Sequence, residues 1–249
     1  MLVESTFPAD LFRDRTVLVS GGTSGIGLAI AEGFARAGAD AIATGSSEAK
    51  LTALSADAAT PGLRFSRLDV QDPEAVRDFV QGLDRLDVLV NCQGISRPDD
   101  EWNEETYLKV IDINLNSVMR LTLAAYPLLE RSGGNIINVA SMLSYLADPT
   151  VPGYTASKSG VVGLTRAMAH RYGEAGVRVN AIAPGYHKTD MTRSLWDEPV
   201  AADKIARRSA ARRWGTVEDL VGPCLFLASP SAGFVTGAVL PVDGGYHTG

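Results

Sequence analysis

Short apolar runs alternate along this chain with longer stretches in which apolar residues recur every three or four positions. The runs fall near residues 16–20, 40–44, 63–68, 86–91, 134–140, 177–183 and 237–241. Thr16-Val-Leu-Val-Ser20 is representative. Its continuous, β-branched hydrophobicity predicts a strand buried on both faces, as in a parallel sheet. The helical patterns fall near 25–37, 47–57, 72–82, 103–131, 153–174 and 216–228. The first of them closes on Gly38, which suits a C-cap. No internal repeat or low-complexity linker interrupts the alternation. The pattern predicts an α/β fold: a single domain with a doubly wound parallel sheet, helices on both faces, and ligands outside the carboxyl ends of the strands.

Candidate chemistry gathers at those ends. Ser20-Gly-Gly-Thr-Ser-Gly-Ile-Gly27 joins the first strand to the first helix, the context of a dinucleotide-binding loop. Gly21 would allow the tight turn, Gly25 a close approach of backbone to a pyrophosphate, and Gly27 close helix–strand packing. Thr23, Ser24 and Ile26 complete the loop, and the helix N-terminus offers unpaired amides to phosphates. The spacing is G-x-x-x-G-x-G rather than G-x-G-x-x-G. Farther along, Tyr154 and Lys158 stand four residues apart, on one face of a helix. A free phenol has a pKa near ~10, and moving it to about 7 takes roughly 4 kcal/mol. An ammonium one turn away favours the phenolate, so the pair reads as a tuned general acid/base for a hydroxyl or carbonyl.

Composition narrows the field. The 249-residue chain has a net charge of −6 and no block of basic residues, which argues against a nucleic-acid partner. The stretch before Arg15 carries Glu4 and Asp10 without an apolar core, so no signal peptide is expected. No apolar run approaches the length of a membrane span. Cys92 and Cys224 are read as buried reduced thiols of a cytoplasmic protein. No metal site is expected.

With these motifs the chain resembles a short-chain dehydrogenase/reductase over essentially its whole length, which implies a Rossmann-like domain. Asn91-Cys-Gln-Gly94 stands where the family usually has Asn-Asn-Ala-Gly. Asn114 matches the family's active-site asparagine. Ser141, thirteen residues before Tyr154, matches its catalytic serine. Pro184-Gly185 followed by Thr189 matches the segment that holds the nicotinamide carboxamide, and Val242-Asp-Gly-Gly matches the usual C-terminal strand end. The resemblance implies that Tyr154 exchanges the substrate proton and Ser141 bonds the reacting oxygen. It further implies that Lys158 lowers the tyrosine pKa and holds the nicotinamide ribose, and that Asn114 interrupts its helix to seat a water beside Lys158. Asp69 resembles the residue that meets the adenine amino group, with Val70 beside it; Asn91 and Gly94 would line the adenine ribose.

The implied cofactor is NAD or NADP. Gly45 occupies the position of the acidic residue that selects NAD, and Ser46 that of the arginine that accepts a 2′-phosphate. Lack of a cationic partner for the phosphate leans slightly to NAD. In domain terms, residues of about 10–185 would form the dinucleotide-binding and catalytic core, about 186–213 a substrate lid, and about 214–249 a C-terminal helix and strand. The lid carries Lys188, Arg193, Lys204, Arg207, Arg208, Arg212 and Arg213. One reading is attraction of an anionic, hydroxyl-rich small-molecule substrate; the other is a solvated lid whose cations pair with Asp190, Asp197, Glu198 and Asp203. Ser141, Met142, His187 and Trp196 are the candidate substrate contacts. Local likeness to sugar-acid dehydrogenases favours a sugar acid or polyol. The alternatives are a 3-oxoacyl-carrier-protein reductase and, in another class, a non-catalytic dinucleotide-binding redox sensor. The resemblance implies a homotetramer or homodimer.

Overall fold

Each expected apolar run becomes a strand, with ends within two residues of those read from the pattern. The computed structural model describes residues 6–56 and 60–249. Its strands are Thr16–Ser20 (β1), Asp40–Gly45 (β2), Leu63–Arg67 (β3), Val88–Asn91 (β4), Asn135–Val139 (β5), Arg178–Pro184 (β6) and Val239–Val242 (β7). They form one seven-stranded sheet, order β3-β2-β1-β4-β5-β6-β7, and every pairing is parallel. The order turns back on itself at β1, whose Val17 is in register with Ala41 on one side and Val88 on the other. That reversal opens a crevice beyond the carboxyl ends.

The helices are Gly25–Arg36 (α1), Glu48–Ala56 (α2), Pro73–Gln81 (α3), Glu104–Ile111 (α4), Ser117–Ser132 (α5), Pro152–Tyr172 (α6), Arg193–Trp196 (α7), Pro199–Arg208 (α8) and Val221–Ala228 (α9). Glu4 and the expected end of α2 at 57 lie outside the described residues. The period-two alternation of strands splits the core. Val17, Val19, Ala41, Ala43, Val88 and Val90 pack with Ile30 and Phe34 of α1 and Leu225 of α9. Leu18, Ile42, Leu89 and Ile136 pack instead with Val76 and Val80 of α3 and with Leu121 and Leu129 of α5. Each large side chain so buried contributes about 1.5–3 kcal/mol.

The expected helix over 103–131 is not continuous. After α4, capped by the Asn103 side chain, the chain makes one π-helical turn, Asp112–Asn116, before α5 resumes. Such a turn inserts one residue into the hydrogen-bond ladder and commonly marks a functional position; here it holds Asn114. The expected helix over 216–228 likewise begins as a 3₁₀ turn, Val217–Leu220, and becomes α-helical only at Val221.

At the amino rim of the sheet Asp87 is almost fully buried. Its carboxylate accepts from Arg15 at 2.7 Å, from Arg85 at 2.7 and 2.8 Å, and from the Thr16 amide at 2.9 Å. Burial pushes its pKa up, but the bonds from Arg85, Arg15 and Thr16 outweigh it and hold the carboxyl below the usual range.

Candidate active site

A cleft of about 310 Å³ opens at the carboxyl rim around the loop between β1 and α1. Gly25 sits at φ +50°, where L side chains are strained. A Cβ built on Gly27 would lie 2.1 Å from the Gly21 carbonyl oxygen, so the turn and the helix can meet only at glycine. Ser24 occupies the N-cap of α1 in extended conformation, yet its side chain caps no amide. The first-turn N–H groups and a free hydroxyl are thus left for a ligand. This cradle fits a pyrophosphate. Gly21, Thr23, Ser24, Gly25, Ile26 and Gly27 all line the cleft. So do Ser46 at the end of β2, Asp69 and Val70 after β3, Gly94 after β4, and Thr189 after β6.

Tyr154 and Lys158, one turn apart on α6, line the inner end of the same cleft. The Ser141 side chain, which accepts from the Leu143 amide at 3.1 Å, lowers the proton affinity of the phenol. Lys158 is 4% exposed, lies 5.6 Å from the centre of the Tyr154 ring and donates from Nζ to the Val139 carbonyl at 2.7 Å. Gly94 packs against both neighbouring side chains: a Cβ there would lie at ordinary contact distance, 3.5 Å, from Lys158 Nζ and from Asn114 Oδ1. The Asn114 amide is fully buried. It accepts from the Ile95 amide at 2.8 Å and donates to the Ile95 carbonyl at 2.9 Å and to Ser157 Oγ at 3.2 Å. The π-turn therefore fastens the loop after β4 to the catalytic helix.

The expected electrostatics need correction in one respect. Burial, not Lys158, dominates the tyrosine: it pushes the Tyr154 phenol up to about 12, with the Ser141 side chain the one influence lowering it. Burial likewise brings Lys158 down to about 8. Its Nζ is turned to the Val139 carbonyl, and the lysine is not among the influences that lower the phenol.

Other expected contacts lie off the cleft. The Asn91 side chain is turned into the core, where it donates to Asn138 Oδ1 at 2.9 Å and to Thr122 Oγ1 at 3.3 Å. Pro184 and Gly185 do not line the cleft, and Gly185 packs against Asp243. Met142 is buried just past Ser141. His187 is 3% exposed and pairs as an isolated bridge with Gly215. Its Nδ1 donates to the Gly185 carbonyl at 3.1 Å, and the ring borders a separate cavity of about 400 Å³ with Arg213, Asp219 and Asp243. It is not a wall of the dinucleotide cleft. Trp196 donates to the Thr189 carbonyl at 3.0 Å and lies between Lys188 and Arg193, outside the cleft.

Several lid cations are already paired: Arg193 with Asp190, Arg207 with Asp203 and Arg213 with Asp219. Arg208 instead lies 4.4 Å over the Tyr246 ring, with no carboxylate partner among the described residues. Tyr246 is edge-on to Tyr186, and the adjacent His247 stacks on Tyr145. The C-terminal tail, the segment after β6 and the loop after Ser141 thus share one aromatic face.

Sequence reading missed Gln71, Ile95, Ile113, Val139, Asp190 and Met191, which also line the cleft. Most stand within two positions of an expected residue, and no residue type singles them out. Gln93 departs from the small residue usual in the family; its amide donates to Ser117 Oγ at 2.9 Å, on the helix after the π-turn. Cys92 borders the cleft, but burial pushes its thiol up to about 11, which makes it a poor nucleophile.

Residues 21–247 match a family model described as enoyl-(acyl carrier protein) reductase. A 2-dehydro-3-deoxy-D-gluconate 5-dehydrogenase of Bacillus subtilis is 40% identical over 94% of this chain and 95% of its own length. A 3-oxoacyl-[acyl-carrier-protein] reductase of Vibrio harveyi is 35% identical over 94% of this chain and 97% of its own. The crystal structure of a gluconate 5-dehydrogenase from Burkholderia cenocepacia, in complex with NADP and tartrate, superposes with a TM-score of 0.89. It is 34% identical, over 97% of this chain and 99% of that one. The slight lean to NAD finds no support in a relative that carries NADP. Among the described residues no helix is long and apolar enough to cross a membrane. The crevice at β1, the glycine cradle, the Tyr154–Lys158 pair and these likenesses agree: the chain belongs to the short-chain dehydrogenase/reductases, NAD(P)-dependent oxidoreductases acting on CH–OH groups.

Proposed function

We propose that this enzyme interconverts a secondary alcohol and ketone on a sugar acid, with NADP(H) as its preferred cofactor. The observation that carries the reaction is the Tyr154–Lys158 pair, one helical turn apart, lining the dinucleotide cleft. In oxidation Tyr154 takes the alcohol proton; in reduction it returns it. Ser141 bonds the reacting oxygen and stabilises the charge developing there. Lys158 and the backbone anchored by Asn114 hold the far side of the phenol. The bound dinucleotide supplies the hydride acceptor or donor. Gly21, Gly25, Gly27 and Ser24 hold its pyrophosphate, with Thr23, Ile26, Gly94 and Thr189 closing around it; Asp69 and Val70 meet the adenine.

Two features favour NADP over NAD. At the end of β2 a Cβ on Gly45 would lie 2.4 Å from Thr23 Oγ1, so no carboxylate can stand there to repel a 2′-phosphate. Arg67, in register with Gly45 on β3, is a cation at the same edge, held only by an exposed ion pair with Glu48 at 3.7 Å that a 2′-phosphate would have to displace. The substrate class rests on the sugar-acid relatives and on Arg208, whose guanidinium is free to meet a carboxylate. Carrier-protein reduction is less well supported, because three of the cations an acidic carrier would need are engaged in ion pairs.

The test is an initial-rate panel with NADP⁺ and NAD⁺ against gluconate and other aldonates, neutral polyols, and, in reverse, a 3-oxoacyl thioester. Turnover of aldonates with a lower KM than polyols is expected. Turnover of the thioester alone would overturn the sugar-acid reading.

A further inference from the structure

Glu101 stands in the 3₁₀ turn Asp100–Trp102 after β4, and it is 1% exposed. Each of its carboxylate oxygens takes a backbone amide: Arg97 N–H at 2.8 Å and Tyr154 N–H at 2.7 Å. The second bond crosses 53 residues of sequence to the first turn of α6. That turn has no cap of its own, since Val151 provides no side-chain acceptor and Pro152 has no N–H. Two further bonds fasten the same segments: Asp99 N–H to the Thr150 carbonyl and Trp102 Nε1–H to the Pro149 carbonyl, both 2.8 Å. Together they strap the loop after β4 onto the start of the catalytic helix.

We propose that Glu101 is a positioning residue for the general acid/base. It holds Tyr154 through that residue's own amide and faces it with a negative charge that no cation among the described residues neutralises. This rests on Tyr154 being the proton-exchanging group. A neutral acceptor would have capped α6 equally well as a hydrogen-bond partner, and a buried carboxylate is costlier to desolvate. The charge is favourable at a helix N-terminus but opposes formation of a phenolate. Glu101 and the Cys92 thiol both raise the proton affinity of Tyr154, while the Ser141 hydroxyl lowers it. Lys158 Nζ lies 5.6 Å from the centre of the ring and turns to the Val139 carbonyl. Around Glu101 itself stand Arg97, whose guanidinium turns to the Ser96 carbonyl, Asp99, Asp100, which accepts from Thr106, and Tyr107 of α4. Glu101 and Ser141 thus act on the phenol in opposite senses.

The experiment compares Glu101→Gln, Glu101→Asp and Trp102→Phe with the parent enzyme, reading kcat/KM for alcohol oxidation against pH and NADPH affinity by fluorescence. Oxidation requires the deprotonated phenol, so kcat/KM rises with pH through the Tyr154 ionisation. Glu101→Gln, which removes the charge, should move that limb down by roughly half a pH unit or more. Glu101→Asp and Trp102→Phe keep the charge and weaken the strap, so they should lower kcat and leave the limb in place. NADPH binding should persist in all three. If Glu101→Gln binds no NADPH, Glu101→Ala carries the same expectation. A limb that stays put without the charge, or moves equally in Trp102→Phe, would overturn the proposal. A Tyr154→Phe variant that kept its turnover would instead overturn the reading on which the proposal rests.

Discussion

Asp87 and Glu101 are both buried carboxylates, at opposite rims of one sheet, and their partners differ in kind. Asp87 is closed in by two guanidinium groups and an amide, so its charge is cancelled where it stands. Glu101 has only neutral amides as partners among the described residues, so its charge is not cancelled where it stands and it raises the proton affinity of Tyr154. The amino rim spends its ionic contacts on stability. The carboxyl rim leaves groups open: an uncapped helix start at Ser24, a buried lysine brought down to about 8, a phenol pushed up to about 12. Buried charge alone therefore does not mark a functional site; unneutralised charge beside a perturbed acid does.

Substitutions at the two rims should separate stability from catalysis. The largest effect is expected at the carboxyl rim. Ser141→Ala removes the hydroxyl that favours ionisation of Tyr154, and kcat should fall by about 10²–10³. Its oxidation pH limb should also move up, opposite to Glu101→Gln. A loss of rate with the limb unmoved would mean that Ser141 does not bear on the phenol.

At the amino rim Asp87→Asn should cost about 2–3 kcal/mol of unfolding free energy. This is below the usual range for a broken buried pair, because both arginines are about half in water. Catalysis per folded molecule should not change. The carboxyl of Asp87 is held below its ordinary value in the folded chain. Its contribution is therefore complete above about pH 4 and is lost as pH falls through the lower, folded value. Urea unfolding at pH 7 and pH 3 should show a larger acid loss for the parent than for Asp87→Asn; equal losses would break the comparison.

Smaller effects belong to recognition. Arg208→Gln should raise KM for an aldonate by about tenfold, the equivalent of one charge-assisted bond, and leave a neutral polyol unaffected. Arg193→Gln, already paired with Asp190, should change neither. Arg67→Gln should weaken NADPH severalfold and leave NADH unchanged, as fluorescence titration would reveal.

The middle of the sheet was legible because β1, β2, β4, β5 and β6 are buried on both faces over most of their length and so read as apolar runs, whereas β3 and β7 at the edges are only partly buried. The glycine loop and the Tyr154–Lys158 spacing were legible because their chemistry is local. What was not legible depends on distant partners. The break at Asn114 was implied by the family resemblance but not by the apolar pattern over 103–131, because the π-turn is tied to the distant Ile95 backbone. His187 reads as a substrate contact from its place in the lid; the fold buries it, with Nδ1 donating to the Gly185 carbonyl, which the sequence does not show. Glu101 reads as one more acidic residue in a polar loop. Only the fold brings it to the amide of Tyr154.

The central claim is that the Tyr154 phenol exchanges the substrate proton. Turnover and NADPH affinity of Tyr154→Phe, measured beside the parent, test it most directly. The account predicts turnover reduced by about 10²–10⁴ with NADPH still bound. Undiminished turnover with NADPH bound equally well would contradict it.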